Sequence, residues 1–431
     1  MRVAVVGGGI AGLAAARLLQ ERGLDPVLFE STDRLGGKLR LETIGDLTLD
    51  VGAEAILARR PEGVAMAESV GLAAEVVHPE TTQASILAAG ALHPLPRTVM
   101  GIPTGPVDFV AIEQRSIPLP DHDVSIAEYV RQRAGEEVLD RLVAPLLGGV
   151  YAGDPERLSL AAAGEQLKLL GADPVAVASQ VPERDGSPVF AGIDGGVGRL
   201  PAAIAAGLPD VRTDVVVRGL ERADDQWLVR TGAGDERVDA VVLATPAPAT
   251  SRLLAEVARR SSFALADVAV ASVVIVTFVF DRELDLPGSG FLVSPSEPVT
   301  IKASTFSSNK WGWLKVPGRT VLRASLGRAG EPLLYNDATM TELALADLRS
   351  ILGSLPAPVA SHVQRWGGGL PQYAVGHLEM LDTIAAELAH LPGLAVAGAT
   401  YRGVGIPAVI ASAQGAVEKL SGDLGDWERD R

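Results

Sequence analysis

The chain begins with a glycine-rich turn between an apolar segment and a helical segment. Residues 3–30 read VAVVGGGIAGLAAARLLQERGLDPVLFE, in which Gly7, Gly9 and Gly12 match the pattern G-x-G-x-x-G before a helix predicted to begin near Ala11. The first glycine allows a tight turn, the second lets the backbone approach a pyrophosphate, and the third lets the helix pack closely on the strand. The helix amides then face the phosphates. The motif predicts an α/β fold that binds a dinucleotide.

An acidic residue follows at the spacing that such a fold requires. Glu30 stands 18 residues after Gly12, at the end of the predicted strand PVLFE. A carboxylate there can accept hydrogen bonds from both hydroxyls of an adenosine ribose. The strand, the helix and the acid together favour a dinucleotide site over an ordinary tight turn. Both NAD and FAD satisfy this first part of the pattern.

Composition and charge exclude several classes of protein. The 431 residues, of which 47% are hydrophobic, suffice for two or three domains with buried cores. The chain contains no cysteine, which excludes disulfides, cysteine metal sites and a cysteine-linked cofactor. A formal charge of −15 without a clustered basic face argues against a nucleic-acid partner.

The sequence predicts neither a transmembrane segment nor a signal peptide. The longest apolar run, Val268–Phe280, has 13 residues and is too short for a spanning helix. Its β-branched content predicts a strand buried on both faces. The first predicted strand begins too soon after Met1 to leave room for a signal peptide. We therefore expect a cytoplasmic protein.

Periodicity predicts a first domain that is assembled from separated segments. Residues 1–76 alternate between predicted strands and helices. A hairpin followed by a buried parallel strand is predicted for VRTDVVVRGLERADDQWLVRT and RVDAVVLATPAP. The C-terminal segment again reads as a strand followed by a helix. Residues 125–170 predict helices with a core-facing stripe. Proline and glycine crowd residues 182–198 and mark a boundary.

The segments after Glu30 distinguish FAD from NAD. STDRLGGKLR contains the glycine pair Gly36 and Gly37, which adds two amides to the diphosphate site, and Arg34 and Lys38 add nearby cations. LTLDVGAEAIL then places Gly52 after a strand, where a flat ring can lie against backbone. The combination resembles the two-domain FAD oxidases of the amine oxidase type, so we predict FAD.

The C-terminal segment supplies a second helix N-terminus. Gly398 ends the predicted strand LAVA, and GVGIP leads into a helix predicted over residues 408–420, with Pro407 at its start. A helix N-terminus directed at the flavin pyrimidine would stabilise negative charge on the reduced ring.

Four longer segments carry a narrower resemblance. LVAPLLGGVYAGDPERLSLAAA, FAGIDGGVGRLPAAI, RWGGGLPQYAVGHLEML and AGATYRGVGIPAVIASAQGA are similar, in this order and over nearly the whole chain, to the protoporphyrinogen and coproporphyrinogen oxidase family. The resemblance implies a noncovalent FAD and removal of six electrons and six protons from a porphyrinogen. Molecular oxygen would reoxidise the flavin and yield hydrogen peroxide.

The motifs and this resemblance together imply the domains and the site. We predict an α/β fold with a discontinuous Rossmann-like FAD-binding domain (1–76, 191–260 and 371–431), an α+β substrate-binding domain (77–108 and 261–370) and a helical subdomain (109–190). The predicted cofactor contacts are Gly7, Gly8, Gly9, Ile10, Ala11, Gly12, Glu30, Ser31, Arg34, Gly36, Gly37, Lys38, Gly52, Ala53, Glu54, Ala55, Val217, Trp366, Gly398, Val404, Gly405 and Ile406.

The carboxylates of the expected substrate require basic side chains that bind them, whereas the expected reaction requires no pair of general acid and general base. Arg59 and Arg60 are the predicted carboxylate-binding residues, because a guanidinium can bind a propionate bidentately. The sequence shows no metal-ligand cluster and no catalytic triad, and we assign no catalytic residue. His377 lies in a matching segment, where we predict a structural role.

Several functions remain open at this stage. The sequence favours coproporphyrinogen III over protoporphyrinogen IX as substrate, with hand-off of the product to a ferrochelatase left open. An FAD-dependent amine oxidase or desaturase is the alternative within the same fold, with Lys302 in the position of a lysine near the flavin. We predict instead that Lys302 is a surface charge at a strand edge. A flavoprotein that only carries porphyrin is the alternative from another class.

Overall fold

The described part of the chain forms a parallel sheet, a second, larger sheet and a helical region. The computed structural model describes residues 1–182 and 186–429. Residues 183–185, inside the predicted boundary at 182–198, and residues 430–431 lie outside the described residues. The strands are β1 (Arg2–Val6), β2 (Asp25–Phe29), β3 (Leu41–Ile44), β4 (Leu47–Asp50), β5 (Ile56–Leu57), β6 (Val76–Val77), β7 (Ser85–Ala88), β8 (Ala91–Pro94), β9 (Thr98–Val99), β10 (Ile102–Pro103), β11 (Phe190–Ile193), β12 (Asp210–Arg212), β13 (Val217–Ala223), β14 (Gln226–Thr231), β15 (Gly234–Val238), β16 (Ala240–Leu243), β17 (Val270–Phe280), β18 (Gly290–Val293), β19 (Ile301–Phe306), β20 (Thr320–Leu326), β21 (Ala360–Pro371) and β22 (Leu394–Val396).

The helices cover the two sheets and fill the region between β10 and β11. They are α1 (Ile10–Glu21), α2 (Pro61–Ser69), α3 (Ile126–Ala134), α4 (Glu136–Val138), α5 (Ala144–Tyr151), α6 (Glu165–Lys168), α7 (Pro174–Ser179), α8 (Leu200–Ala205), α9 (Ala247–Leu254), α10 (Arg259–Ala266), α11 (Ser307–Lys310), α12 (Asp337–Leu352), α13 (His377–Leu388) and α14 (Ile406–Arg429). Short 3₁₀ turns lie at Ala73–Glu75, Val197–Arg199 and Gly312–Leu314, and a π-helical turn at Leu139–Val143. Of the helices in 1–182 and 186–429, none is long and apolar enough to cross a membrane.

The first sheet is parallel and has the strand order β12-β2-β1-β16-β22. Val3 on the central strand β1 lies opposite Pro26 on β2 and Ala240 on β16, and Val3 is fully buried. Helices α1 and α14 pack against each other on one face, whereas α9, α10 and α13 contribute to the core on the other. Because both faces are covered, the strands are continuously apolar. This arrangement confirms the predicted Rossmann-like fold, whose strands come from the beginning, the middle and the end of the chain.

The second sheet has the order β21-β17-β20-β19-β18-β7-β8 and is antiparallel except between β18 and β7. Helix α12 covers one face through Met340, Ala344 and Leu348. The predicted strand at 268–280 is observed as β17, which is buried without interruption only from Val276 to Phe280. The interior position of β17, between β20 and the edge strand β21, accounts for its apolar run.

The helical prediction for residues 125–170 is only partly confirmed. Helices α3 to α6 lie there, but Ala152 has a φ of +49° and ends α5, and residues 152–164 form turns. The region is held by buried polar side chains rather than by one continuous helix. The Tyr129 hydroxyl donates to the Leu167 and Gly171 carbonyls, and Arg133, only 2% exposed, donates to those of Ile117 and Pro118.

Three local predictions are wrong in detail. In place of the predicted hairpin, the structure has a three-stranded meander, β13-β14-β15. Gly234, with a φ of +124°, allows its second turn. Strand β12, from the start of the same segment, pairs with β2 in the parallel sheet. The terminal helix begins at Ile406 and continues past Leu420 to Arg429. Lys302 is not a surface charge at a strand edge, because β19 lies between β18 and β20, and the residue is 4% exposed.

Candidate cofactor and substrate site

The first glycine turn is closely packed on one side and open on the other. Gly7 has a φ of +109°, and a Cβ atom placed on Gly12 would lie 1.8 Å from the Gly7 carbonyl oxygen. Both positions therefore require glycine. A Cβ on Gly9 would meet no atom within 4 Å, so the turn has free space at Gly9. Ile10 and Ala11 begin α1 directly behind this space, with the first helix amides beside it.

The carboxylate of Glu30 lies against this turn. Its Oε2 accepts from the Gly8 amide at 2.7 Å, and its Oε1 accepts from the Thr32 amide at 2.9 Å and from the Ser31 hydroxyl at 3.2 Å. The Val215 amide donates to the Glu30 carbonyl at 2.9 Å, which brings the start of β13 at Val217 to the same end of the site.

The second glycine pair packs on the first turn. The Gly36 amide donates to the Gly8 carbonyl at 2.8 Å, and Gly37, with a φ of +56°, approaches Gly9. The two neighbouring cations contact backbone instead of standing free over the turn. Arg34 donates to the Gly37 carbonyl at 2.9 Å, and the Lys38 ammonium donates to the Gly369 carbonyl at 2.7 Å. The Lys38 ammonium thus has a partner in β21.

A third glycine turn lies between the two sheets. A Cβ on Gly52 would lie 1.9 Å from the Lys38 carbonyl oxygen and 3.1 Å from the Trp366 ring. The Trp366 indole N–H donates to the Val51 carbonyl at 3.2 Å. The structure therefore brings together three residues that were each predicted as cofactor contacts, Lys38, Gly52 and Trp366, with Ala53 following on the chain.

A largely buried ion cluster fixes the turn at Gly52. The Glu54 carboxylate accepts from Lys310 on α11 at 2.7 Å and from Arg323 on β20 at 2.5 Å, and Arg323 also donates to the Gly52 carbonyl at 2.6 Å. Burial would raise the pKa of Glu54, but the two cations lower it to about 2. Sequence reasoning missed Lys310 and Arg323, because no local pattern links them to a turn more than 250 residues earlier. Ala55 follows in the adjoining apolar cluster.

The loop before α14 is fixed by a tyrosine and a histidine. The Tyr373 hydroxyl donates to the Ala399 carbonyl at 2.5 Å and accepts from the Gly403 amide at 2.8 Å. The His377 ring stacks on Tyr373 at 4.1 Å and bonds the Tyr401 carbonyl at 3.1 Å. Burial lowers the pKa of His377, which agrees with the predicted structural role.

The same loop approaches the first glycine turn. Gly398 has a φ of +127°, and a Cβ atom placed on it would lie 3.9 Å from the Ala11 side chain. The Gly398 amide donates to Ser412 of α14 at 3.0 Å. Val404, Gly405 and Ile406 lie at the N-terminus of α14. The beginning and the end of the chain therefore meet at one site.

The two predicted substrate arginines lie at the N-terminus of α2. Arg59 is exposed, and Arg60 pairs with Glu62 at 2.7 Å. Arg60 also lines a groove of about 520 Å³ between α13 and α14, together with Arg402 and Lys419. Arg60 thus has a local acidic partner, whereas the guanidinium of Arg59 has none among the described residues.

Four partly exposed side chains form a row on the face of the second sheet opposite α12, and the two aliphatic ones, Ile275 and Leu292, also pack against neighbouring cores. Ile275 pairs with Ser325, Ser325 with Ala303, and Ala303 with Leu292, across four strands. We call these four residues the shelf. Arg323 stands two residues before Ser325 on the same face and reaches Gly52, so the shelf adjoins the turn at Gly52. Pairing between distant strands creates the shelf, so no single segment of sequence predicts it.

The comparisons with known proteins agree with this architecture. Residues 10–421 match the family described as flavin containing amine oxidoreductase. The chain is 36% identical over 447 residues to a coproporphyrinogen III oxidase of Mycobacterium leprae (strain TN), covering 97% of this chain and 98% of that protein. A solved protein of Exiguobacterium sp. 255-15, assigned as a protoporphyrinogen oxidase, superposes with a TM-score of 0.84 at 30% identity, covering 98% of this chain and 99% of that one.

A more distant neighbour shares the fold alone. Wild-type putrescine oxidase bound to putrescine superposes with a TM-score of 0.72 at 16% identity, over 98% of this chain and 99% of that one.

Replacing Glu54 tests the ion cluster. Glu54→Gln leaves the buried Arg323 and the largely buried Lys310 without a counter-charge and is expected to lower the free energy of unfolding by about 3–5 kcal/mol in urea at pH 7. The depressed pKa of Glu54 means that its contribution is complete above the ordinary glutamate pKa and is lost as the pH falls towards 2. The difference between wild type and variant therefore shrinks in acid. Glu80→Gln, which breaks the exposed pair with Lys315, is the control and should cost less than about 1 kcal/mol. Equal losses in the two variants at pH 7 contradict the assignment.

Replacing Tyr373 tests the loop before α14. Tyr373→Phe leaves the Ala399 carbonyl and the Gly403 amide without their shared partner, which should cost about 1–3 kcal/mol. The measurement is the unfolding temperature of the flavin-loaded protein, together with the rate of flavin loss on dilution. Tyr335→Phe, at an exposed position, is the matched control. If both variants retain flavin as wild type does, Tyr373 does not hold the loop.

Proposed function

The chain belongs to the family of flavin-containing amine oxidoreductases, and on that premise we propose that it oxidises coproporphyrinogen III to coproporphyrin III with FAD as cofactor. The relative from M. leprae, which matches along nearly its whole length, bears the name of that activity. Molecular oxygen takes up the six electrons in pairs and leaves as hydrogen peroxide. The observation that carries the proposal is the contiguity of three features: residues 36–38 connect the dinucleotide turn to the turn at Gly52, and Arg323 connects that turn to the sheet that carries the shelf.

The described residues fit FAD at both of its ends. Gly9 offers open space beside the first amides of α1, and Glu30 lies where an adenosine ribose would follow. At the other end, a side chain on Gly52 would collide with the Lys38 carbonyl and the Trp366 ring, so only backbone occupies this turn. A mononucleotide flavin would use only one of these ends. We therefore assign the cofactor contacts to the glycine, acid and loop residues named from the sequence, and the cofactor domain to residues 1–76, 191–260 and 371–431.

The protein contributes position and charge to the reaction. When bound, the flavin supplies the ring that accepts a hydride from the substrate. Arg323 and Glu54 hold the turn at Gly52 in one geometry, and Tyr373 holds the loop at Gly403. The positive end of the α14 dipole lies at residues 404–406 and favours negative charge there. Such preorganisation accelerates a reaction without a proton-transferring side chain, so we name no catalytic residue.

The shelf suits a broad substrate with an apolar body. Its four side chains are small or aliphatic and partly exposed, and they span four strands. A porphyrinogen presents a broad apolar body with carboxylates at its rim, so it needs an apolar surface and peripheral cations. Arg59 and Arg60 are our candidates for one group of these cations. An amine oxidase is the weaker candidate, because its small substrate would leave the shelf unused.

Filling the space at Gly9 tests the cofactor position. In Gly9→Ala the added methyl meets no protein atom, so the unloaded protein should unfold at the wild-type temperature. The methyl would occupy space that we assign to the diphosphate, so the Kd for FAD, measured by flavin fluorescence, should rise at least tenfold. Gly415→Ala, on α14 and equally free of contacts, is the control with unchanged FAD affinity. Normal FAD binding by Gly9→Ala would place the diphosphate elsewhere.

An aerobic assay tests the reaction itself. Coproporphyrinogen III and protoporphyrinogen IX are supplied separately, and porphyrin fluorescence is followed together with peroxide release. We expect faster oxidation of coproporphyrinogen III, with one peroxide for each electron pair. Faster oxidation of protoporphyrinogen IX would make that compound the substrate, and peroxide from putrescine alone would make the protein an amine oxidase. Porphyrin binding with no oxidation beyond the rate in air would indicate a carrier.

A further inference from the structure

The strand β22 ends the parallel sheet and lies recessed between two helices. Among the described strands it pairs with β16 alone, and α13 and α14 cover the two faces of the sheet beside it. The groove of about 520 Å³ between these helices is lined by Ala395 and Val396 of β22. Of all the residues that line it, only Arg60 belongs to the cofactor and substrate residues named above. The groove is therefore a separate feature of the fold.

The two walls of the groove are apolar. Helix α13 contributes Leu381, Ile384 and Leu388. Helix α14 contributes small residues that share one face, namely Ala408, Ala411, Ser412, Gly415 and Ala416. The helix rises about 16 Å between Ala408 and Lys419, which is the length of about five residues of an extended chain. The small side chains on this wall leave room for larger side chains of a ligand.

The backbone of β22 directs every second residue to the open side of the sheet. In a parallel ladder successive residues bond alternately to the strands on the left and on the right. The Gly393 carbonyl accepts from β16, and the Ala397 amide donates to β16. The amides and carbonyls of Leu394 and Val396, and the amide of Gly398, therefore point away from β16.

The protein satisfies these groups on either side of Val396 but not at Val396 itself. The Leu394 carbonyl accepts from Lys419 at 3.1 Å, and the Gly398 amide donates to Ser412 at 3.0 Å. No described residue bonds the outward amide or carbonyl of the partly exposed Val396. A hydrocarbon chain laid over these two groups would leave both unsatisfied, which is costly. An extended peptide offers them an acceptor and a donor.

The charged residues of the groove are all cations. Arg402 follows β22, is exposed, and has neither a hydrogen bond nor an ion pair among the described residues. Arg60 and Lys419 also line the groove, and each pairs with a neighbouring acid, Glu62 and Asp423 respectively. No acidic residue belongs to the described lining. A ligand that complements the groove therefore carries a carboxylate at the end near Arg402.

We propose that the groove beside β22 binds an extended, acidic and apolar peptide segment of a partner protein. The segment adds to the parallel sheet at Val396, packs its apolar side chains against α13 and α14, and places a carboxylate at Arg402. A second copy of this sheet edge does not fit, because the helices on both faces admit only a single strand between them. This interaction surface goes beyond the proposed reaction and does not depend on it.

Filling the groove tests its use. The probe is a fluorescein-labelled peptide of sequence Glu-Val-Leu-Val-Glu, and its Kd for the flavin-loaded protein is measured by fluorescence anisotropy. A Cβ atom on Gly415 would meet no atom within 4 Å, so Gly415→Leu should fold normally while its side chain occupies the groove. Its Kd for the peptide should rise at least tenfold. Gly422→Leu is the matched control with unchanged affinity, because Gly422 lies on the same helix, is exposed and does not line the groove.

Removing one backbone donor tests the strand addition. The Val396 amide takes no part in the ladder with β16, and an edge strand tolerates proline where its amide faces away from the sheet. Val396→Pro should therefore keep an unfolding temperature near that of wild type and raise the Kd for the peptide by about tenfold. In wild type, saturation with the peptide should slow hydrogen exchange of the Val396 amide. An unchanged exchange rate contradicts the strand addition.

A neutral peptide tests the role of charge. With Gln in place of both Glu residues, the peptide should bind wild type about tenfold more weakly, whereas Arg402→Gln should bind the two peptides nearly equally. The flavin content of Arg402→Gln is measured as well, because Arg402 adjoins Gly403. Equal peptide affinity in wild type and Gly415→Leu overturns the proposal, as does failure of wild type to bind the acidic peptide at about 1 mM. Laurate that binds in the groove where the peptide does not would make it a fatty-acid site instead.

Discussion

Close approach of backbone to backbone is the constraint on which this site depends. At Gly12 and Gly52 a single added carbon would lie within 2 Å of a carbonyl oxygen. Such contacts bring helix α1 onto the turn at Gly7, and the segment at Lys38 onto the turn at Gly52. They leave backbone amides and flat backbone surfaces where side chains would otherwise project. A cofactor with a diphosphate at one end and a planar ring at the other requires surfaces of this kind.

The ion cluster at Glu54 connects those turns to the second sheet. Arg323 lies on β20, yet it donates to the Gly52 carbonyl and to the Glu54 carboxylate. The position of the shelf relative to the turn at Gly52 is therefore set by charged hydrogen bonds between buried groups, which tolerate little displacement. Lys302 is the contrasting case, since it is buried in the same sheet and has no such partner. The ion cluster thus stabilises the connection between the turn at Gly52 and the second sheet.

The sequence predicted what depends on local pattern. The glycine spacing and Glu30 identify the parallel sheet and its turn, because strand, turn and helix are consecutive there. The sequence could not predict the shelf, the partners of Glu54 or the burial of Lys302, because each depends on which strands pair and in which register. An isolated lysine in VTIKAS looks like an edge residue until β18 and β20 are known to lie on either side of it. The sequence could not predict the contacts of Tyr373 either, although Tyr373 lies in one of the four segments that carry the family resemblance.

The central claim is that one FAD molecule extends from the turn at Gly9 to the turn at Gly52 with its ring facing the shelf. A crystal structure of the flavin-loaded protein tests it most directly. The account predicts the diphosphate beside Gly9 and α1, the ring between Gly52 and residues 403–406, and open space between the ring and Ile275, Ser325, Ala303 and Leu292. A flavin bound at another site, or a ring whose exposed face is covered by protein in place of the shelf, would contradict it.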